Sequence, residues 1–121
     1  MAKNCMCEGA DVLLFPCSGS SDVGELSDRM ARRMAKQGVG RMFCLAGIGA
    51  HVDGMIESAK SAQKIIAIDG CPVSCAKKTL EHAGFLPECF NLKELGFEKG
   101  KTKITDELTE RAIALVLGGK E

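Results

Sequence analysis

Two thiols stand close together in Asp69-Gly70-Cys71-Pro72-Val73-Ser74-Cys75, directly after the apolar run Ile65-Ile66-Ala67-Ile68. That run reads as a buried strand closed by turn residues. Pro72 suits the first turn of a helix, where the N–H it lacks would have no partner. The spacing predicts a helix over 72–82, closed by Gly84, with Cys71 and Cys75 at i and i+4 on one side of its start. Unpaired N–H groups and the helix dipole favour thiolate over thiol there. Two converging thiolates would suit a soft or borderline cation, and a redox pair is the alternative. The preferred redox spacing is Cys-x-x-Cys, whereas three residues separate Cys71 from Cys75.

Other cysteines join them if the chain alternates strand and helix. Parallel α/β sheets place their ligand sites at the carboxyl ends of the strands. Cys17 follows the run Val12-Leu13-Leu14-Phe15-Pro16, Cys44 lies near the end of Met42-Phe43-Cys44-Leu45-Ala46, and Cys71 follows a third run. Cys17, Cys44, Cys71 and Cys75 thus project toward one edge, and a tetrahedral cysteine zinc site is the most economical use of that set. If the first and third strands are neighbours, Cys17 and Cys71 meet at a switch point. Taken singly, Cys44 and Cys89 lie within apolar strands and read as core, because free cysteine packs as a small hydrophobe. Cys5 and Cys7 sit in an N-terminal segment, 1–10, expected to be flexible, as auxiliary ligands or exposed thiols.

Rival chemistries find less support. Cys17 precedes Ser18-Gly19-Ser20-Ser21, a loop type that binds oxyanions through backbone N–H groups. A phosphatase would also need an arginine to clamp the phosphate, and none occurs before Arg29. Gly47 and Gly49 do not complete a dinucleotide fingerprint. His82 lies seven residues beyond Cys75, about 10 Å along a helix axis, too far to share a metal with both cysteines. His51 reads as an exposed loop histidine on the same edge, where a proton carrier or outer-shell group would also sit. Asp69 either orients a ligand or caps the following helix.

Strand and helix signals alternate along the whole length. The first strand leads into a helix capped by Asp22, with Glu25 as reciprocal partner and Val23, Leu26, Met30 and Met34 as its apolar stripe. A second strand over 42–46 ends in the turn Gly47-Ile48-Gly49, and a weaker helix covers about 52–62. A third strand over 64–68, the cysteine helix, and a short fourth strand over 88–92 follow. After a loop over 93–103, Thr105 caps a last helix whose first turn carries Asp106 and Glu107. The implied fold is α/β, a small Rossmann-like three-layer sandwich with a mostly parallel sheet of about four strands, forming one domain over 11–121.

Composition narrows the function classes. Sixteen basic and sixteen acidic residues cancel, which removes the electrostatic case for nucleic acid or an anionic membrane. Five Phe without Trp or Tyr offer no platform for stacking bases. No apolar run approaches the ~20 residues of a membrane span, and no secretory signal opens the chain, so a cytoplasmic location is expected. Seven cysteines, an odd number, then argue for metal or thiol chemistry and against a disulfide framework.

Asp69-Gly70-Cys71 with Pro72 and Cys75, together with Cys17-Ser18-Gly19 and Cys44-Leu45-Ala46-Gly47-Ile48-Gly49, resembles the DGC-domain family. The likeness runs over about 10–103 and includes Leu95-Gly96-Phe97. The resemblance implies zinc as the cofactor, with Cys17, Cys44, Cys71 and Cys75 at the positions of the family's four expected ligands, and leaves the reaction unnamed. The competing reading is a thiol-dependent redox or sulfur-transfer enzyme that uses Cys71 or Cys17.

Overall fold

Leu13 and Phe15 alternate with Leu14 along the first strand, and all three are buried. A strand apolar on both faces must carry helices on both sides. The computed structural model, which describes residues 12–118, has that arrangement. Its elements are β1 (Val12–Pro16), α1 (Asp22–Lys36), β2 (Arg41–Met42), α2 (Leu45–Gly49), α3 (Asp53–Lys60), β3 (Lys64–Asp69), α4 (Cys75–His82), β4 (Glu88–Asn91) and α5 (Asp106–Gly118). The strands form one sheet in the order β2-β1-β3-β4, and every pairing is parallel. Leu14, Ile66 and Ile68 pack with Met30, Met34, Ala112 and Val116 of α1 and α5. Leu13, Phe15 and Ala67 pack on the opposite side with Ile48, Ala59, Ala76 and Leu80 of α2, α3 and α4. The fold is a small three-layer α/β sandwich. Cys5 and Cys7 lie outside the described residues, as does the N-terminal segment.

The expected stripe of α1 is fully buried at Val23, Leu26, Met30 and Met34. Its cap differs from expectation by one residue. Ser21 is the N-cap, its hydroxyl accepting the Gly24 N–H at 3.1 Å. Glu25 turns outward to Arg29 at 2.9 Å instead of closing a capping box. Asp22 is left to reach across the chain, and its carboxylate accepts the N–H groups of Gly100 and Thr102, each at 2.9 Å. That clasp holds the long loop before α5 against the start of α1. Thr105 caps α5 as expected, with the Leu108 N–H 3.0 Å from its Oγ1.

Two elements depart from the sequence expectation, and both carry cysteines. The second strand covers only Arg41–Met42, and the remainder of its apolar run becomes the short helix α2, capped by Cys44. Phe43 and Leu45 pack partly buried on the cluster beneath α2, α3 and α4, while Cys44 and Ala46 are exposed; an apolar run alone cannot distinguish helix packing from strand packing. The cysteine helix begins at Cys75, not at Pro72. Residues 71–74 form a tight turn closed by the Ser74 N–H on the Cys71 carbonyl at 3.1 Å. Ser74 then adopts φ +59°, a left-handed conformation that cannot continue a helix backwards. Cys71 and Cys75 are therefore not two positions on one helix face.

Candidate metal centre

The strand order reverses between β1 and β3, and such a reversal opens a crevice beyond the carboxyl ends of the strands. Cys17 is the first residue beyond β1, and its N–H still donates to the Ile68 carbonyl of β3 at 2.8 Å. The buried Ser27 hydroxyl of α1 donates to the Cys17 carbonyl, and it lies 2.9 Å from the Gly24 carbonyl. The Cys17 backbone is thus gripped from both flanks. Its sulfur accepts the backbone N–H groups of Gly19 and Gly70. Burial pushes the Cys17 thiol above its ordinary range; these two N–H groups oppose the shift, and the nearby Asp69 and Cys75 add to it.

Two glycines make this approach possible. A Cβ on Gly24 would stand 2.8 Å from the Gly19 carbonyl oxygen, and one on Gly70 would stand 2.5 Å from the Val23 carbonyl. The loop after β1, the first turn of α1 and the end of β3 therefore touch backbone to backbone, with Gly19 packed on the Cys17 sulfur. The residues of Asp-Gly-Cys thereby acquire separate tasks. Gly70 permits the contact with α1. Asp69 is buried and caps α4, accepting the N–H of Ala76 at 2.7 Å and of Lys77 at 3.0 Å. Burial raises the Asp69 carboxyl above the usual range, against the pull of those N–H groups and of the Lys77 and Lys78 charges. The N–H groups at the start of α4 are thus already engaged by a carboxylate, and do not await a thiolate.

The remaining cysteines occupy distinct settings. Cys75 opens α4, is exposed, and lies close enough to Cys17 for their charges to interact. Cys71 starts the tight turn and is half-buried against the cluster formed by α1 and α5. Cys44 is exposed, not core; its sulfur accepts the Gly47 N–H at 3.3 Å and borders a depression of about 440 Å³ that also includes Pro16, Ser18 and Phe43. Cys89 also proves exposed, because β4 is the edge strand. The structure thus brings Cys17, Cys75 and Asp69 into one neighbourhood. Among the described residues, no group of three or more His, Cys, Asp or Glu side chains is gathered tightly enough to hold a metal as it stands.

Two positioning residues have no signature in the sequence. Ser27 reads as an ordinary helix serine until β1 is folded against it. Asn91, at the end of β4, donates its amide to the Cys71 carbonyl at 2.8 Å and lies 3.0 Å from the Ser74 hydroxyl, pinning both ends of the cysteine turn. Neither role follows from local pattern, since each depends on a strand and a helix meeting across the fold. His51 and His82, placed apart in the sequence reading, are in contact, with ring centroids 5.6 Å apart.

Among the described residues, no helix is long and apolar enough to cross a membrane. Residues 13–116 match the model of the DGC domain. The chain is 35% identical over 88 residues to the anaerobic and virulence modulator AnvM of Pseudomonas aeruginosa, an alignment spanning 72% of this chain and 67% of that relative. No solved structure matches the chain. With the Asp69-Gly70-Cys71 turn, the α/β sandwich and a match over nearly its whole length, the chain belongs to the DGC-domain family.

Proposed function

We propose that this chain binds zinc through cysteine thiolates at the carboxyl edge of its sheet, with Cys17, Cys71 and Cys75 as ligands and Cys44 as the fourth. One observation carries the reading. Strands β2, β1 and β3 are adjacent, and each is followed within two residues by a cysteine. The donor set fits zinc in kind, since sulfur ligands at ~2.3 Å are its preferred structural shell. It also fits in location, at the strand-order reversal, while the sulfurs themselves stand apart. Binding therefore requires the exposed Cys44 and Cys75 side chains to turn toward Cys17, whose backbone is fixed by Ser27 and β3.

Zinc held there would supply a cross-link between three loops, and with only three thiolates it would also supply a Lewis-acid position. The chain's own residues hold the frame: Asp69 anchors α4, Asn91 the cysteine turn, and Gly70 the contact with α1. A closed shell of four thiolates suits structural, storage or sensing duty. That a relative bears the name of a modulator favours the sensing side.

Metal analysis with native mass spectrometry on the reduced protein tests the assignment. One zinc per chain is expected. Cys17→Ser, Cys71→Ser and Cys75→Ser should each lose most of it and the thermal stabilisation that accompanies binding to the folded state. Cys89→Ser should keep both. Full zinc retention by Cys71→Ser would refute the ligand set. The second reading, a thiol enzyme acting through Cys71 or Cys17, predicts rapid alkylation of one of these cysteines with zinc present, whereas bound thiolates are protected until a chelator removes the metal.

A further inference from the structure

The sheet ends in two edge strands of unequal length: β2 covers only Arg41–Met42, whereas β4 covers Glu88–Asn91. Leu92 donates its N–H to the Asp69 carbonyl of β3. Alternation along the strand therefore turns the backbone groups of Glu88 and Phe90 inward, toward β3, and those of Cys89 and Asn91 outward. β4 contains neither lysine nor proline, and its register with β3 is unbroken, so the usual guards of a sheet edge are missing. We propose that β4 pairs antiparallel with β4 of a second copy of this chain, about a two-fold axis beside Cys89, and so joins the two sheets into one.

The edge complements itself group by group. Among the described residues, the Cys89 N–H and C=O have no partner. Across the axis each Cys89 N–H donates to the carbonyl of the other Cys89. Two residues on, the Asn91 N–H points outward, while its carbonyl already accepts the Glu94 N–H at 3.0 Å. In this register Asn91 stands opposite the partner's Pro87, which offers a carbonyl and has no N–H to donate. The spent carbonyl thus meets the missing donor, and no group is left unsatisfied. Sliding one copy by two residues either way sets Cys89 against the spent Asn91 carbonyl or the Pro87 nitrogen, and halves the bonds.

Charge obeys the same symmetry. Lys77 and Glu81 are exposed on α4, one turn apart, and both lie close enough to the Cys89 thiol for their charges to reach it. α4 runs against the strands, so the two-fold sets Lys77 of each copy toward the partner's Glu81. Leu86, 95% exposed, leads into this edge and is covered by the partner's chain just beyond its β4.

Sedimentation equilibrium of the full, reduced chain tests the proposal. The edge is short, so a weak dimer is expected, its mean mass rising from one chain toward two between about 10 μM and 1 mM. Cys89→Pro removes an outward donor, which an edge strand tolerates, and should weaken association about tenfold. Glu81→Lys should weaken it about three-fold, and Lys77→Glu/Glu81→Lys, which restores opposite charges across the axis without touching the strand, should recover it. A short thiol-bridging reagent should link two copies through Cys89, and Cys89→Ser should lose the link while still dimerising. A chain that stays monomeric at about 1 mM, association undiminished in Cys89→Pro, or no recovery in the charge swap would overturn the proposal.

Discussion

Gly70→Ala should be among the most damaging small substitutions in this protein. Its methyl would stand 2.5 Å from the carbonyl carbon and oxygen of Val23 and 2.9 Å from the Gly24 nitrogen. Non-bonded heavy atoms settle at about 3.5 Å, so the end of β3 and the first turn of α1 must part by roughly 1 Å. Both sides of the contact are backbone, and no rotamer change can relieve it. Overpacking costs about 1–3 kcal/mol, and a clash between two backbones belongs at the upper end. A loss near 3 kcal/mol lowers the unfolding midpoint by roughly 10–15 °C in a domain of this size. Gly54 provides the opposite case. A Cβ there meets nothing within 4 Å, and the residue is helical and exposed in α3. Gly54→Ala should therefore stabilise by about 0.5–1 kcal/mol through the smaller entropy lost on folding. Thermal unfolding of the reduced, metal-free proteins by circular dichroism measures both. A Gly70→Ala protein melting within ~2 °C of the parent would refute the close-approach argument.

Two aspartates should answer pH with opposite signs. The N–H groups of Gly100 and Thr102 hold the Asp22 carboxyl below the usual carboxylate range. Its contribution is present above the unfolded pKa of about 3.9 and lost as pH falls through the lower folded value. The midpoint gap between the parent and Asp22→Asn should accordingly narrow on acidification, and a gap independent of pH would count against the clasp. Burial raises Asp69, so its contribution is complete below about pH 3.9 and is lost as pH rises through the higher folded value. Relative to Asp69→Asn, the parent should gain stability as the solution is acidified. Asp69→Ala, which leaves the Ala76 and Lys77 N–H groups without their cap, should cost about 2 kcal/mol at neutral pH; a loss under ~0.5 kcal/mol would show that the cap contributes little.

The elements with a strong local period were legible in the sequence. The α1 stripe, the apolar runs of β1 and β3, and the Thr105 cap all appear where their patterns put them, because burial on one or both faces fixes those periods. The run 42–46 misled because Met42, Phe43 and Leu45 are only partly covered, first at the sheet edge and then on a short helix, and composition does not separate the two. Pro72 misled because it opens a tight turn as readily as a helix, and only the left-handed Ser74 decides between them. Which cysteines lie near the strand ends could be read from spacing. Which sulfurs meet could not, since that depends on the strand order and on Ser27, Gly24 and Asn91, whose partners are remote in sequence. The histidine contact was hidden for the same reason: it joins the ends of two helices whose lengths and starts the sequence had blurred.

Asn91 has one more implication, for how this edge opens. It belongs to β4, the outermost strand, yet its side chain holds the cysteine turn, and the next residue, Leu92, donates its N–H to the Asp69 carbonyl at 2.8 Å. Fraying of β4 must break these bonds together, so the strand and the turn form one cooperative opening unit. Amide exchange of the β4 backbone and of residues 71–74 should share a single opening free energy, distinct from that of the β1 centre. A ligand released through that opening would leave at the rate of strand fraying, and a partner that added a strand along the β4 edge would slow its escape without touching a cysteine.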